Sequence, residues 1–379
     1  MQKLGVFFPI IKSKNKPVVW IHAVSVGEVA SCEKIIWLMI ENGYHVCLST
    51  TTRGGYIKAE KLYDNIDLFY YPLDFARAVN IFINQIKPDV FILVEMEFWP
   101  MMMYKITRKK IPIYVISARI GDTEYKNMKR FRWFYKMLFS MVKTFYAQTE
   151  EYAERIKTFN LNQNVKVTGN IKLDVEYNNR EYEIHKLLPH NPFICAASTH
   201  KGEEEIILTA YKSVVNEYPY SIVVAPRNIN RAGEIIKICK NLGLTYSIRT
   251  HNNKCKDNVY ILDTIGELMG VFSKCEFVVM GGSFSKSVGG HNIIEPALLS
   301  KTSICGPYMH NFREITTRLL EQRAVIQTGE NELEKTLRYA INNKSEIRSM
   351  GKRAYDFINK NKGVSKKVFD DIFKSVVTD

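Results

Sequence analysis

The sequence predicts an α/β protein made of two doubly wound Rossmann-like domains that face a central cleft. Short runs of β-branched residues alternate with helical segments along the chain, which is typical of βαβ units with a parallel sheet. A polar stretch near the middle, with Pro189 and Pro192 at its end, interrupts this alternation before it begins again. The length of 379 residues fits two domains of ordinary size.

In the first half of the chain, apolar runs bounded by turn residues predict strands. The first two, at 18–22 and 45–49, are joined by a predicted helix over about 27–42. Further strands are predicted at 68–72, 89–94, 113–117 and 165–168, and a second helix at 76–85. Ligands of open α/β sheets bind beyond the carboxyl ends of the strands, so the loops that follow these strands are candidate sites.

The second half repeats the pattern. Strands are predicted at 193–197, 221–225, 259–262 and 277–280, helices at 203–216, 232–242, 266–272 and 293–299, and two or three more helices from about residue 330. We therefore expect a first domain over 1–175, a linker over 176–192, a second domain over 193–350, and C-terminal helices over 351–379 that pack back on the first domain.

The distribution of cysteine and histidine argues against a metal centre. The seven cysteines occur singly, without a C-x-x-C pair, which is typical of a reduced compartment and argues against a disulfide framework or a thiolate zinc site. The eight histidines include no H-x-H or H-E-x-x-H pattern. We expect no protein-bound metal.

A net charge of +14 restricts the classes of partner. It fits nucleic acid, an anionic membrane surface or small phosphorylated substrates. The excess is concentrated in residues 101–145, where eleven basic and two acidic residues are mixed with aromatic ones. No stretch reaches the roughly 18 apolar residues of a transmembrane helix, so we expect a soluble or surface-bound protein.

Strand-end loops of the first half carry charged side chains. In SVGE, Glu28 comes in the first turn of a predicted helix, where it could act as a general base or simply complement the helix dipole. In VEMEFWP, Glu95 and Glu97 directly follow an apolar strand and, two residues apart in an extended chain, could point the same way. Two neighbouring carboxylates at one strand end repel each other and cost free energy unless cations lie beside them, which favours a functional role. In TGNIKLD, Lys172 could hold a phosphate or a carboxylate, or lie on the surface like most lysines.

The second half has features of nucleotide binding. Arg227 follows Pro226 at the end of a predicted strand and is suited to bind a phosphate or carboxylate in a fork. Glycines before predicted helices, at Gly266 and in the GGS sequence from Gly281, let a phosphate approach backbone N–H groups. Glu295 could accept hydrogen bonds from ribose hydroxyls. The sequence contains no P-loop, no clean G-x-G-x-x-G and no D-x-D, which argues against a kinase, an NTPase or a dehydrogenase.

Several motifs are weak alone and specific together. In chain order they are HAVSVGE, VEMEFWP, TGNIKLD, AASTHKGEEE, APR, GELM, GGSF and GGHNIIEPA. Through them, residues from about 20 to 310 resemble the 3-deoxy-D-manno-octulosonic acid (Kdo) transferases of lipopolysaccharide biosynthesis. The resemblance implies a fold of the GT-B type, with an acceptor-binding N-terminal domain and a CMP-sugar-binding C-terminal domain.

The activity that the resemblance implies is inverting transfer of Kdo from CMP-Kdo to a lipid A precursor (lipid IVA), without a metal or another cofactor. It also implies a peripheral protein at the cytoplasmic face of the inner membrane. Glu28 matches the general base of the family, and Glu95 and Lys172 match groups that stabilise the transition state. The residues that match CMP-binding segments are Pro226, Arg227, Ile265, Gly266, Glu267, Asn292, Ile293, Ile294 and Glu295. The sequence does not indicate how the roles are divided between Glu95 and Glu97.

The N-terminal region departs from the family. Many members carry a hydrophobic anchor there, which in this sequence is missing or reduced to residues 4–11. Attachment to the membrane would then depend on residues 128–146, a basic and aromatic segment that we predict to be a helix lying on anionic lipid. The alternative is a packing helix with a solvated basic edge.

Two other functions stay open. A GT-B glycosyltransferase that uses a UDP-sugar and a different acceptor would share the EPALL sequence near a glycine loop, but the SVGE and EMEFWP segments favour Kdo transfer. A non-enzymatic nucleic-acid-binding protein would explain the net charge alone. That class requires recognisable nucleic-acid-binding motifs, which are absent, so we expect no nucleic-acid partner.

Overall fold

The computed structural model describes residues 3, 11, 15–159, 164–175, 183–251 and 257–374. The chain divides into two compact units, the first formed by residues 1–176 and 361–379 and the second by residues 177–360. Each unit contains one parallel sheet of seven strands. The predicted fold class, α/β with two doubly wound units, is confirmed.

The sheet of the first unit has the strand order β3-β2-β1-β4-β5-β6-β7. Its strands are β1 (Val18–His22), β2 (His45–Thr50), β3 (Asp67–Tyr70), β4 (Val90–Val94), β5 (Ile113–Ala118), β6 (Thr144–Ala147) and β7 (Val165–Val167). Its helices are α1 (Val26–Ser31), α2 (Glu33–Glu41), α3 (Arg53–Leu62), α4 (Ala76–Ile86), α5 (Pro100–Arg108), α6 (Asp122–Arg130), α7 (Arg132–Ser140) and α8 (Glu150–Lys157). The order reverses at the junction of β1 and β4, the usual ligand-binding position of a doubly wound sheet.

Both faces of this sheet are buried, which explains why its strands are continuous apolar runs. In β1, Trp20 belongs to one hydrophobic cluster, while Val19 and Ile21 belong to the cluster on the opposite face. The indole N–H of Trp20 donates to the hydroxyl of Ser49 at 2.8 Å, so burying this side chain leaves no polar atom unsatisfied.

The sheet of the second unit has the strand order β10-β11-β9-β8-β12-β13-β14. Its strands are β8 (Phe193–Thr199), β9 (Ser221–Pro226), β10 (Tyr246–Ile248), β11 (Val259–Ile261), β12 (Phe277–Met280), β13 (Thr302–Cys305) and β14 (Val325–Gln327). Its helices are α9 (Glu203–Val215), α10 (Ala232–Asn241), α11 (Leu268–Lys274), α12 (Ile294–Leu298), α13 (Arg313–Glu321), α14 (Leu333–Asn342) and α15 (Lys344–Lys360).

The last helix, α16 (Val364–Lys374), lies on the first unit. Val368 and Phe373 belong to a hydrophobic cluster of that unit, and the carboxylate of Asp174 accepts a hydrogen bond from the backbone N–H of Ser365. The predicted boundary at residue 350 falls inside α15, whose Ile347 packs in the core of the second unit. The division therefore lies at residue 360, because the helix is continuous across the predicted boundary.

Several predicted segments differ from the structure. The helix expected over 27–42 consists of α1 and α2, which meet at Cys32. The single helix predicted across 128–146 is wrong, because α6 ends at Arg130, α7 follows, and the apolar residues of β6 form an interior strand between β5 and β7. Part of the expected linker is packed, since Ile184 is fully buried. Residues 4–10 and 176–182, on which the anchor and the rest of the linker were predicted, lie outside the described residues.

In the described part of the chain, no helix combines the length and the apolar character that a membrane span requires.

Candidate active site

The first unit brings the three predicted catalytic residues to one edge of its sheet. Glu28 lies in α1, directly beyond β1, and Glu95 follows the adjacent strand β4. Lys172 lies in a 3-10 turn, Ile171–Leu173, beyond β7. All three follow the carboxyl ends of parallel strands, where the loops of such a sheet converge.

The carboxylate of Glu28 is held by the turn that starts its own helix. Ser25 is the N-cap of α1, and its hydroxyl donates to Oε1 of Glu28 at 2.7 Å. The backbone N–H of Val24 donates to Oε2 at 2.9 Å. Burial, and after it the negative charge of Glu95, raises the pKa of Glu28 above its usual range, although both hydrogen bonds act in the opposite direction. A fixed carboxylate with a raised pKa is suited to accept a proton.

Glu95 is paired with two cations. Its Oε1 lies 2.9 Å from Nζ of Lys172, and its Oε2 lies 2.8 Å from Nε of Arg119. Burial alone would raise the pKa of Glu95, but the charges of Lys172 and Arg119 outweigh it and hold the pKa below its usual range. The residue has a φ of 59°, in the left-handed region that non-glycine residues rarely adopt. Such backbone strain persists where the surrounding structure fixes it, and here the two cations do so.

Glu97 differs from Glu95 although only one residue separates them. Among the described residues it has no hydrogen-bonding or ion-pairing partner, and it is half-buried. Burial, then the charges of Glu95 and Glu124, raises its pKa. The turn after β4 thus sends one carboxylate to the cations and leaves the other without them.

Sequence reasoning missed Arg119 and the polar network around Lys172. Asn170 caps the 3-10 turn by accepting from the backbone N–H of Lys172 at 3.0 Å. Nδ2 of Asn170 donates to Oε1 of Gln148 at 3.3 Å, and Nε2 of Gln148 donates to the backbone carbonyl of Ser117 at 3.0 Å. These contacts fix the turn that presents Lys172. The position of Arg119, two residues after the strand predicted at 113–117, was the available signal.

In the second unit, the predicted nucleotide-binding residues follow the carboxyl ends of several strands. Pro226 ends β9 and is buried, whereas the side chain of Arg227 is exposed. The backbone N–H of Arg227 donates to the carbonyl of Thr199 at 2.9 Å, which fixes this loop to the end of β8. The guanidinium therefore projects from a rigid backbone position.

A second group of predicted residues lies beyond β11. The carboxylate of Glu267 accepts from Nε of Arg249 at 3.0 Å and from Nη2 at 2.9 Å. Ile265 is 84% exposed, and Gly266 has a φ of 92° that a side chain would oppose. Arg249, which the sequence did not single out, forms an ion pair with Glu267. The exposed side chain of Ile265 lies two residues before Glu267.

The third group surrounds the start of α12. Nδ2 of Asn292 donates to Oε1 of Glu295 at 3.1 Å, and its Oδ1 accepts from the backbone N–H of Ile294 at 3.0 Å. Ile293 and Ile294 are each 1% exposed, so their side chains anchor this segment in the core. A role of these two in ligand binding would depend on their backbone.

The amides of the glycine loop after β12 are engaged by an acidic side chain. Glu203, which is 2% exposed, accepts from the backbone N–H groups of Gly282 at 2.6 Å, Phe284 at 2.9 Å and His200 at 2.9 Å. A carboxylate that accepts several backbone hydrogen bonds is strongly held. The expectation that a phosphate meets backbone N–H groups of this loop is wrong for Gly282, because Glu203 already accepts its hydrogen.

Within the described residues, one group of potential metal ligands lies close together. It consists of His45, Cys47 and Asp67, all buried on β2 and β3. Nε2 of His45 lies 2.6 Å from Oδ2 of Asp67, and burial raises the pKa of the Cys47 thiol. His45 and Asp67 are hydrogen-bonded to each other. The absence of a protein-bound metal remains a prediction.

Residues 1–175 match the family model described as 3-Deoxy-D-manno-octulosonic-acid transferase (kdotransferase). A 3-deoxy-D-manno-octulosonic acid transferase of Haemophilus influenzae is 27% identical over 366 residues, which cover 93% of this chain and 86% of that protein. A bifunctional glycosyltransferase/methyltransferase of Fusobacterium nucleatum is 29% identical over 329 residues, or 83% of this chain. The match spans only 51% of the length of that bifunctional protein.

Solved structures share the fold at low sequence identity. A UDP-GlcNAc 2-epimerase from Neisseria meningitidis, bound to UDP-GlcNAc, superimposes with a TM-score of 0.65 at 14% identity, covering 94% of this chain and 100% of that one. CalG4, the calicheamicin glycosyltransferase, gives a TM-score of 0.61 at 10% identity, covering 95% and 98%. These likenesses establish the GT-B type of fold.

Proposed function

We propose that the chain is a glycosyltransferase of the Kdo transferase family and that it transfers Kdo from CMP-Kdo to a lipid A precursor. The observation that carries the proposal is the pair of carboxylates at the carboxyl edge of the first sheet. Glu28 has a raised pKa and Glu95 a lowered one, so one is suited to accept a proton while the other stays charged.

In the proposed reaction, Glu28 removes the proton of an acceptor hydroxyl while the hydroxyl oxygen attacks the anomeric carbon of Kdo. The bond between that carbon and the phosphate oxygen breaks, and both of its electrons go to the departing CMP. Positive charge develops on the sugar ring and negative charge on the phosphate. Charges already fixed in place, such as Glu95 with Lys172 and Arg119, stabilise developing charge without reorganising.

The second unit would bind CMP-Kdo. Arg227 offers a planar, always charged group for a phosphate, and Glu295 offers carboxylate oxygens for ribose hydroxyls. Gly266 and the exposed Ile265 form an accessible turn beside Glu267. Neither a metal nor another cofactor takes part in this proposal.

We place the membrane contact on a surface at the start of α7, within the segment that the sequence indicated. This α7 surface comprises the exposed side chains of Arg130, Phe131, Trp133, Lys136 and Met137. Trp133 is 73% exposed, which is unusual for so large an apolar group. Aromatic and basic side chains together favour the interface of an anionic membrane, and for this protein that would be the cytoplasmic face of the inner membrane.

One assay tests the proposal. Purified protein is incubated with freshly generated CMP-Kdo and a tetra-acylated lipid A precursor in the presence of EDTA, and the products are read by mass spectrometry. A gain of one or more Kdo masses supports donor, acceptor and metal independence together. If the folded protein binds CMP but forms no product, the proposed acceptor or the proposed sugar is wrong. Binding of UDP in preference to CMP would favour the UDP-sugar alternative.

A further inference from the structure

Two histidines that the proposed function does not use meet at the carboxyl edge of the second sheet. His200 directly follows β8, and His291 lies in the loop that leads to α12. Nε2 of His200 lies 2.7 Å from Nε2 of His291, and the ring planes are 8° from parallel. The two residues are 91 positions apart in the chain, so folding alone brings them together.

Arg227 lies beside this pair because of the order of the strands. β9 pairs with β8, Thr199 is in register with Pro226, and the backbone N–H of Arg227 donates to Thr199. β12 flanks β8 on its other side. The charge of Arg227 acts on His291, and burial, then Arg227 and His200, lowers the pKa of His291 to about 4.

The Nε2–Nε2 contact fixes the number of protons that the pair can hold. One nitrogen must carry the hydrogen and the other must offer its lone pair, since two N–H groups would repel at this distance. The pair as a whole is therefore neutral or carries one positive charge, but it cannot carry two. It is a site for a single additional proton.

The loop after β12 is shaped around this pair. A Cβ at Gly282, whose φ is 70°, would lie 2.8 Å from Cδ2 of His291 and 3.1 Å from its Nε2. Glu203 also contacts this region, where it accepts from the backbone N–H of His200 and from that of Gly282 in the loop. Its hydrogen bonds are directed to backbone amides, whereas the positive charge of Arg227 acts on the imidazole of His291.

We propose that the His200–His291 pair, together with Arg227, binds the phosphate of the departing nucleotide and takes up one proton as that phosphate leaves. The inference rests on the proposed function, in which the C–O bond to the sugar breaks and its electron pair stays on a phosphate oxygen. The phosphate then gains a second negative charge, and such a phosphate has a pKa of about 6. One more positive charge on the pair offsets it, and the extra proton comes from solvent.

The chemistry of the pair explains why two imidazoles would serve better than a second arginine. A permanent cation would hold the product as tightly as the transition state. An imidazole pair that is neutral when the nucleotide is absent becomes charged only when a dianionic phosphate is present. It can lose the proton again when the nucleotide is released.

Calorimetric titration with CMP tests the proposal on the whole protein. At pH 8, where free CMP is fully dianionic, titrations in two buffers of different ionisation enthalpy give the number of protons taken up. We expect up to one proton per CMP, and an affinity that falls by as much as about tenfold per pH unit between pH 7 and pH 8. CMP binding without proton uptake by the wild-type protein would overturn the inference while leaving the proposed function intact.

Variants then assign the proton to the pair. We expect His200→Gln and His291→Gln to bind CMP several-fold more weakly at pH 7 and to lose the proton uptake. His190→Gln, a change at an exposed histidine of the same unit, is the control and is expected to keep it. If the His200 and His291 variants melt at the wild-type temperature and still take up a full proton, the proton does not bind to this pair. Failure of the wild-type protein to bind CMP at all would instead count against the proposed donor.

Discussion

Nζ of Lys172 lies 2.9 Å from Oε1 of Glu95, although 77 positions separate the two residues. The contact joins the loop after β4 to the turn after β7 and pairs a largely buried carboxylate with a cation. Because Arg119 meets the other oxygen of Glu95, this carboxylate stays ionised while the neighbouring Glu28 has a raised pKa. The two side chains are chemically identical, so their pKa values differ because Glu95 has two cationic partners whereas Glu28 is buried beside the negative charge of Glu95.

Replacement of Glu28 by glutamine tests its role as the base. Glu28→Gln keeps the hydrogen-bonding shape but cannot accept a proton, so we expect turnover to fall by roughly 10²-fold or more with CMP affinity unchanged. In the wild-type protein the base must be ionised, so activity is lost as the pH falls through a pKa above that of an ordinary glutamate. Steady-state rates between pH 5 and 8 measure both effects. Glu33→Gln, at an exposed site on α2, is the control, and normal turnover of Glu28→Gln would remove Glu28 from the mechanism.

The two cations at Glu95 are expected to act as one unit. Arg119→Gln and Lys172→Gln each leave Glu95 with one partner, which lets its pKa rise and should lower turnover about tenfold or more. The double variant should lose less turnover than the product of the two single losses, because both cations act through one carboxylate. Kinetics of the two single variants and the double variant measure this. Arg108→Gln, at an exposed position of α5, is the control, and strict additivity would show that the cations act independently.

Arg227→Ala tests the place of the nucleotide. Loss of a charged phosphate ligand should weaken CMP binding by about tenfold or more, and turnover at saturating donor should change less. The dissociation constant of CMP is the readout. Arg348, which is 69% exposed on the same unit, provides the matched Arg348→Ala control. Equal affinities of Arg227→Ala and the wild-type protein would place the nucleotide elsewhere.

The α7 surface is testable with liposomes. Trp133→Ser combined with Lys136→Glu removes apolar area and reverses one charge, so we expect sedimentation with anionic vesicles to fall several-fold. Activity on a detergent-solubilised acceptor should stay close to normal. Tyr339→Ser with Lys335→Glu makes the same kind of change at exposed positions of α14 and serves as control. Parallel loss of binding and activity would point to a structural role of α7.

Glu203 is expected to matter for stability. Glu203→Ala would leave the buried amides of Gly282 and Phe284 without an acceptor, which should lower the free energy of unfolding by about 3 kcal/mol or more. Urea denaturation measures this difference. Glu205→Ala, at an exposed position of the same helix, should change stability by less than about 0.5 kcal/mol. A small effect at Glu203 would mean that the loop finds other partners.

Some features of the site follow from local sequence. The apolar runs of β1 and β4 are continuous because both faces of the sheet are buried, so the ends of these strands, and with them Glu28 and Glu95, could be placed before the structure was known. Local sequence did not reveal the break between α1 and α2, or that residues 144–147 form a strand inside what resembled one helix. Both outcomes depend on packing against distant segments.

The sequence by itself determined the fold class, the resemblance to the Kdo transferases, and which residue types stand at the ends of the strands. Only the tertiary structure decided which of them meet: Arg119 and Lys172 at Glu95, Glu203 at the glycine loop, and His200 at His291. The physical reason is that strand identity depends on short runs of side chains, whereas the neighbours of a strand-end residue depend on the order of the strands. That order is set by the packing of the whole sheet, which brings together residues from 24 to 91 positions apart.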